Sequence, residues 1–303
     1  KAWVRMAKDA GMKYIVITAK HHDGFAMFRS KADRFNICDA TPFKRDPLKE
    51  LAAECRTQGI KLGFYYSQAQ DWHQPGADAV LGRWDSAQNG DFDVYLRKVV
   101  LPHLKELLTN YGPVAVLWWD TATASMTTAR TDQMKTILKL QPGIITNNRL
   151  GGNNPGDTYT SEQEVPPNGV PGKDWESCMT MGTHWGYNKN DTNLKASAEL
   201  IRTLIDIVSK GGNFLLNVGP TAGGLFPELS IQRLAEIGKW MKINGEAIHG
   251  TTPGPFPKAP AWGRVTQKPG KLFLHVFDWP KDGKLVVPGL TAKVKTAYLL
   301  AGA

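Results

Sequence analysis

Short apolar runs separated by helix-patterned stretches recur from residue 14 to residue 218, and this alternation restricts the possible folds more than any other feature. Tyr14-Ile15-Val16-Ile17-Thr18, Leu62-Gly63-Phe64-Tyr65-Tyr66, Val114 to Trp119, Gly143 to Thr146 and Phe214 to Val218 read as strands of a parallel sheet. Asp46-Pro47 supplies an N-cap and a first-turn proline for a helix that Gly59 closes. Asp91 caps a helix reaching about Asn110, in which Pro102 predicts a kink or a break. Further helices are expected from about Thr131 to Leu140, Leu194 to Lys210 and Ser230 to Ile243. The pattern is that of an α/β protein, a TIM-like (β/α)8 barrel over residues 1–250. Five clear strands and two weak ones fall short of the eight such a barrel needs, so N-terminal units are expected to be missing from this chain.

After Gly250 the pattern changes. Thr251-Thr252-Pro253-Gly254-Pro255-Phe256-Pro257 reads as a stiff linker. Lys271 to Phe277 then alternates with period two, and Lys284-Leu285-Val286-Val287 follows a turn. Residues 251–303 are therefore expected to form a small antiparallel β-sandwich domain, and a partial one. Residues 147–193, rich in Gly, Pro and Asn, read as a long loop; a loop of that length is usually functional or disordered, and its Trp, Glu and His content favours function.

A net charge of +9 raises the question of an acidic partner, but Lys and Arg are interspersed with Asp and Glu, without the basic run that nucleic acid needs. Cys38, Cys55 and Cys178 have neither disulfide-framework nor zinc-ligand spacing, and no metal or other cofactor is expected. No apolar stretch is long enough to span a membrane. Oligomeric state and compartment are left open by the residues themselves.

Asp120 ends the strand Val114 to Trp119, where a barrel of this kind places its chemistry, and Trp118 and Trp119 beside it offer a flat wall suited to a sugar ring. His21-His22-Asp23-Gly24-Phe25 directly follows the first strand, as hydrogen-bond donors at a barrel mouth or equally as a satisfied loop pair. Of Tyr65 and Tyr66, one should face the mouth and the other point away. Arg149 is positioned to anchor a carboxylate or to form a surface ion pair. Glu162, Glu164 and Glu176 compete as a second carboxyl group, and Trp185 lies in a glycine-containing aromatic loop. One carboxylate on a strand and another on a loop is the minimal set for retaining glycoside hydrolysis, which needs the two about 5–5.5 Å apart.

Five segments together, in order, resemble the α-L-fucosidases of glycoside hydrolase family 29: Ala19 to Phe25, Leu117 to Asp120, Trp175 to Thr180, Trp185 to Asn188 and Ser209 to Thr221. The resemblance implies a barrel with a C-terminal β-sandwich and retaining release of terminal α-L-fucose from a fucosylated oligosaccharide or glycoconjugate. It implies Asp120 as nucleophile and His21, His22, Tyr65, Trp118 and Arg149 as fucose contacts, with Trp185 packing near the sugar's methyl group. The acid/base falls on Glu162, in Thr160-Ser161-Glu162-Gln163, with Glu176 as the alternative. A periplasmic, secreted or lysosomal compartment is implied as well. The family's first strand, with its fucose-contacting His, finds no match. Two competing readings remain, a catalytically degenerate fucose-binding protein and a retaining glycosidase for another sugar such as α-galactose.

Overall fold

A computed structural model describes residues 1–302. It divides into two compact units, one made of Lys1–Lys8 with Met12–Tyr159, the other of Asp9–Gly11 with the chain from Thr160 onward.

The first unit is built on a four-stranded parallel sheet in the order β1-β2-β3-β4, comprising β1 (Tyr14–Lys20), β2 (Lys61–Ser67), β3 (Val116–Asp120) and β4 (Ile145–Thr146). Helix α1 (Ala2–Asp9) precedes β1 and α2 (Pro47–Gln58) joins β1 to β2. Asp46 accepts the Lys49 N–H, Pro47 opens α2, and Gly59 closes it in a left-handed conformation, as the sequence signals require. Between β2 and β3, α3 (Phe92–Tyr95) and α4 (Leu101–Asn110) are joined by a π-helical turn over Leu96–Val100. The helix expected to kink or break at Pro102 is interrupted there, its α-helical pattern giving way to the π-helical turn just before α4. Pro102 has no N–H to offer, and the Leu101 N–H reaches five residues back to the Leu96 carbonyl. Helix α5 (Thr128–Leu138) leads to β4.

The strands bury alternate side chains. Phe64, Tyr66, Leu117 and Trp119 are completely buried against a core that includes Leu48 and Leu51 of α2 and Leu104, Leu107 and Leu108 of α4. Each such large apolar side chain contributes about 1.5–3 kcal/mol by leaving water. Tyr65, Trp118 and Asp120 lie on the opposite face, with Tyr65 paired to Trp118 and Ser67 to Asp120 across the ladder. Gly63 permits this close pairing, because a Cβ there would stand 2.8 Å from the Cβ of Val116.

In the second unit, β5 (Tyr159–Glu162), β6 (Trp175–Thr180) and β7 (Gly212–Asn217) form a three-stranded sheet, with β6 and β7 parallel. Helices α6 (Ser197–Ser209) and α7 (Glu228–Asn244) flank β7 in sequence. Residues 147–193 are thus not one loop, since β5 and β6 lie within them. Strand β6 is buried along its whole length although half its residues are polar. Two of those groups are satisfied by backbone, Ser177 Oγ donating to the Glu164 carbonyl and Thr180 Oγ1 to that of Gly182.

The last sheet is antiparallel in the order β10-β9-β8, built from β8 (Thr252–Pro253), β9 (Gly263–Lys268) and β10 (Lys271–Val276). Thr252–Pro253, expected as linker, pairs with Gln267 and Thr266 and belongs to this sheet. Strand β9 was hidden by its polar composition. Lys284 to Val287 forms no strand; the Val286 carbonyl instead accepts the Trp262 indole N–H at 2.8 Å. No helix among the described residues is long and apolar enough to cross a membrane.

Candidate active site

The C-terminal ends of β1, β2 and β3 converge on Asp120. Its Oδ2 accepts the Tyr65 hydroxyl at 2.6 Å, and its Oδ1 accepts Arg149 Nη1 at 3.0 Å and the Thr121 N–H at 2.9 Å. Its side chain keeps 15% exposure, enough to meet a ligand. Thr121 sits at φ +50°, a left-handed conformation unusual for a β-branched residue, which turns the chain sharply at the strand exit. Arg149 also lies over the Trp118 ring, 4.9 Å from its centroid. Trp118 stacks on Tyr65 and Tyr65 on His21, each at 5.4 Å.

His22 lies 3.7 Å from Asp120 Oδ2 through Nε2, while its Nδ1 is 2.6 Å from Ser67 Oγ. Burial, reinforced by neighbouring His21, holds the His22 pKa down to about 4 against the pull of Asp120, so the ring is neutral near pH 7. Ser67 donates its hydroxyl proton to the Gln70 carbonyl, so it accepts from His22 Nδ1–H. The hydrogen-bond network therefore assigns the lone pair to Nε2, facing Thr121 Oγ1 at 3.4 Å and open to a ligand hydroxyl. Burial also lowers the His21 pKa.

Several further residues hold this arrangement, Gln68 among them missed by sequence reasoning. Gln68, fully buried, accepts the Asp120 N–H through Oε1 and donates Nε2 to the carbonyls of Arg149 and Leu150. Asn147 exchanges two hydrogen bonds with the backbone of Trp119, extending the ladder as a strand residue would. Lys20, fully buried before the histidines, donates to Gln70 O, Asp71 Oδ2 and Tyr95 Oη at 3.0–3.2 Å. Asp71 in turn caps the next turn by accepting the N–H groups of His73 and Gln74, and it packs where a Cβ on Gly24 would stand. Polar residues directly after apolar strands, Lys20 and Ser67-Gln68, were the available signal.

His21, His22 and Asp120 are the group among the described residues whose donor atoms, all within 4.8 Å, have the makeup to hold a metal ion. Arg149 carries positive charge beside them and Asp120 already accepts on both oxygens, which disfavours a cation.

His21, His22, Tyr65, Trp118, Asp120 and Arg149 thus gather in the first unit. The remaining candidates belong to the second. Glu162 ends β5, exposed, and Gln163 after it adopts φ +56° and ties back to Thr180. Glu176 is buried in β6. Trp185 is 41% exposed, in a loop that Asp191 closes by accepting the Thr183 and His184 N–H groups.

The sequence model of the α-L-fucosidase family matches residues 1–246. A solved α-L-fucosidase isoenzyme 1 from Paenibacillus thiaminolyticus is 42% identical, with a TM-score of 0.86 over 92% of this chain and 71% of that one. A trapped covalent intermediate of the Bacteroides thetaiotaomicron α-L-fucosidase with 2-fluoro-fucosyl fluoride is 31% identical, with a TM-score of 0.82 over 93% of this chain and 69% of that one. The tissue α-L-fucosidase of Mus musculus is 31% identical across 98% of this chain, which spans 68% of the mouse protein. With a family model matched over most of its length and relatives at this similarity, the chain belongs to the α-L-fucosidases, glycoside hydrolases of family 29.

Proposed function

We propose that this chain releases terminal α-L-fucose from fucosylated glycans with retention of configuration, Asp120 acting as nucleophile and Glu162 as acid/base. The observation that carries the reading is the setting of Asp120, a partly exposed carboxylate fixed by Tyr65, Arg149 and a backbone N–H at the end of a parallel strand.

In the first step an Asp120 oxygen attacks the anomeric carbon while Glu162 gives its proton to the departing glycosidic oxygen. The glycosidic C–O bond breaks and a fucosyl ester of Asp120 forms. In the second, Glu162 takes a proton from water, whose oxygen attacks the anomeric carbon and frees Asp120 and fucose. The covalent adduct reported for the Bacteroides thetaiotaomicron relative supports this course. Arg149 and Tyr65 hold the carboxylate in one orientation, so its alignment is fixed before substrate arrives. The neutral His22 Nε2 accepts a sugar hydroxyl, Trp118 lies beneath the ring, and Trp185 offers an apolar wall to the C5 methyl group. Exposure at a strand end favours Glu162 over the buried Glu176. We assign the chemistry to a TIM-like (β/α)8-type barrel domain to which residues 1–250 contribute the sheets β1-β2-β3-β4 and β5-β6-β7, with residues 251–303 as part of a small antiparallel β-sandwich.

Incubation with 2-fluoro-α-L-fucosyl fluoride followed by peptide mass mapping tests this. A 2-fluorofucosyl adduct on the peptide bearing Asp120 is expected; an adduct elsewhere, with Asp120 unmodified, would contradict the assignment.

A further inference from the structure

The series of neighbouring rings Trp118, Tyr65, His21 and His22 does not stop at the carboxylate. The Trp72 ring lies 6.1 Å from His22, and the Trp84 ring lies edge-on to Trp72 at 5.8 Å. Trp84 is 65% exposed, a costly position in water for the largest apolar side chain unless something covers it.

This extension is a built feature. The Trp72 N–H donates to the His22 carbonyl at 2.7 Å, fixing it to the loop that enters the site. Gln88, only 4% exposed, joins the two tryptophans through one carboxamide. Its Oε1 accepts the N–H groups of Trp84 and Asp85 at 2.9 and 3.2 Å, and its Nε2 donates to the Trp72 carbonyl at 2.9 Å. Asp85 and Gln88 also close a capping box around Ser86–Gln88. Both rings are thus presented by backbone that a buried side chain holds rigid.

On the reading of the site given above, we infer that Trp72 and Trp84 form the subsite for the leaving group. The pyranose ring next to the fucose would lie on the exposed Trp84 face, and the enzyme would prefer a sugar leaving group to a small one. The ring series is continuous with the pocket of Asp120, and an aromatic face suits the apolar C–H face of a sugar.

The test compares α-L-fucosyl fluoride, whose leaving group cannot reach the platform, with fucosyl disaccharides carrying α1,2, α1,3, α1,4 and α1,6 linkages. Trp84→Ala is expected to lower kcat/KM for the best disaccharide roughly 3- to 10-fold more than for the fluoride, the scale of one aromatic contact. Trp84→Phe should recover part of that difference. Equal losses on both substrates, or none on either, would overturn the platform, as would turnover of the fluoride without any disaccharide. Failure of the wild-type chain on the fluoride itself would instead refute the fucosidase reading. Should Trp84→Ala fold poorly, inhibition of fluoride turnover by free lactose in wild type and Trp84→Phe gives the same comparison; identical inhibition constants would contradict the inference.

Discussion

Replacing Lys20 by Met keeps most of the side chain's volume but removes its charge from a place no water reaches. Lys20 and Asp71 are both fully buried, with Nζ 3.1 Å from Oδ2, and the ammonium also serves Gln70 O and Tyr95 Oη. Desolvation lowers the Lys20 pKa, more strongly than Asp71 raises it. Removing one partner of a buried pair costs about 3–5 kcal/mol, because the other charge stays buried alone. Asp71 keeps the N–H groups of His73 and Gln74, each at 3.0 Å, which places the expected cost near the lower end, about 3 kcal/mol. That is a large share of the 5–15 kcal/mol typical of a domain. Activity should fall too, since Asp71 packs on Gly24 and so shapes the turn carrying His21 and His22. Urea unfolding of wild type, Lys20→Met, Asp71→Asn and the double variant measures the coupling. The double variant should lose at least about 1 kcal/mol less than the sum of the single losses. A cost under about 1 kcal/mol for Lys20→Met, or strict additivity, would refute the argument.

Tyr65→Phe removes the 2.6 Å hydrogen bond to Asp120 while keeping the stack on Trp118. A bond to a charged group is worth about 1.5–3 kcal/mol, so stability should fall by up to that amount, and with the carboxylate no longer held in one orientation kcat/KM on an aryl α-L-fucoside should fall roughly 10-fold or more. Burial holds His103 at about 3 and His22 and His275 at about 4, against an ordinary histidine value of 6.5. The unfolded chain therefore binds more protons below pH 6.5, and stability is retained above that pH and lost as pH falls from 6.5 towards 4. Each histidine contributes at most about 1.4 kcal/mol per pH unit; unfolding midpoints at pH 7.5, 6 and 5 that do not decline would exclude this.

The parts of the fold set by neighbouring residues were legible in the sequence. Asp46, Pro47 and Gly59 act within one helix, and the division of labour between Tyr65 and Tyr66 follows from strand alternation alone. Strand β6 was not legible, because Trp-Glu-Ser-Cys-Met-Thr lacks an apolar run and Ser177 within it is satisfied by backbone 13 positions away. The supports of the site share that character. Lys20 meets Asp71 across 51 positions and Gln68 meets Arg149 across 81, separations that leave no periodic trace. Gln88, which ties the half-buried Trp72 to the exposed Trp84, acts over only 3 to 16 positions, and its one local trace is the capping-box pattern Asp85-Ser86-Ala87-Gln88.

The most direct measurement is turnover of an aryl α-L-fucoside, beside an aryl α-D-galactoside, by the wild-type chain and Asp120→Gly, with and without azide. The account expects fucoside-selective turnover that Asp120→Gly abolishes, and that azide partly restores by attacking the anomeric carbon in place of the missing carboxylate to give β-fucosyl azide. Undiminished activity of Asp120→Gly, or loss that azide does not rescue at all, would contradict Asp120 as the nucleophile.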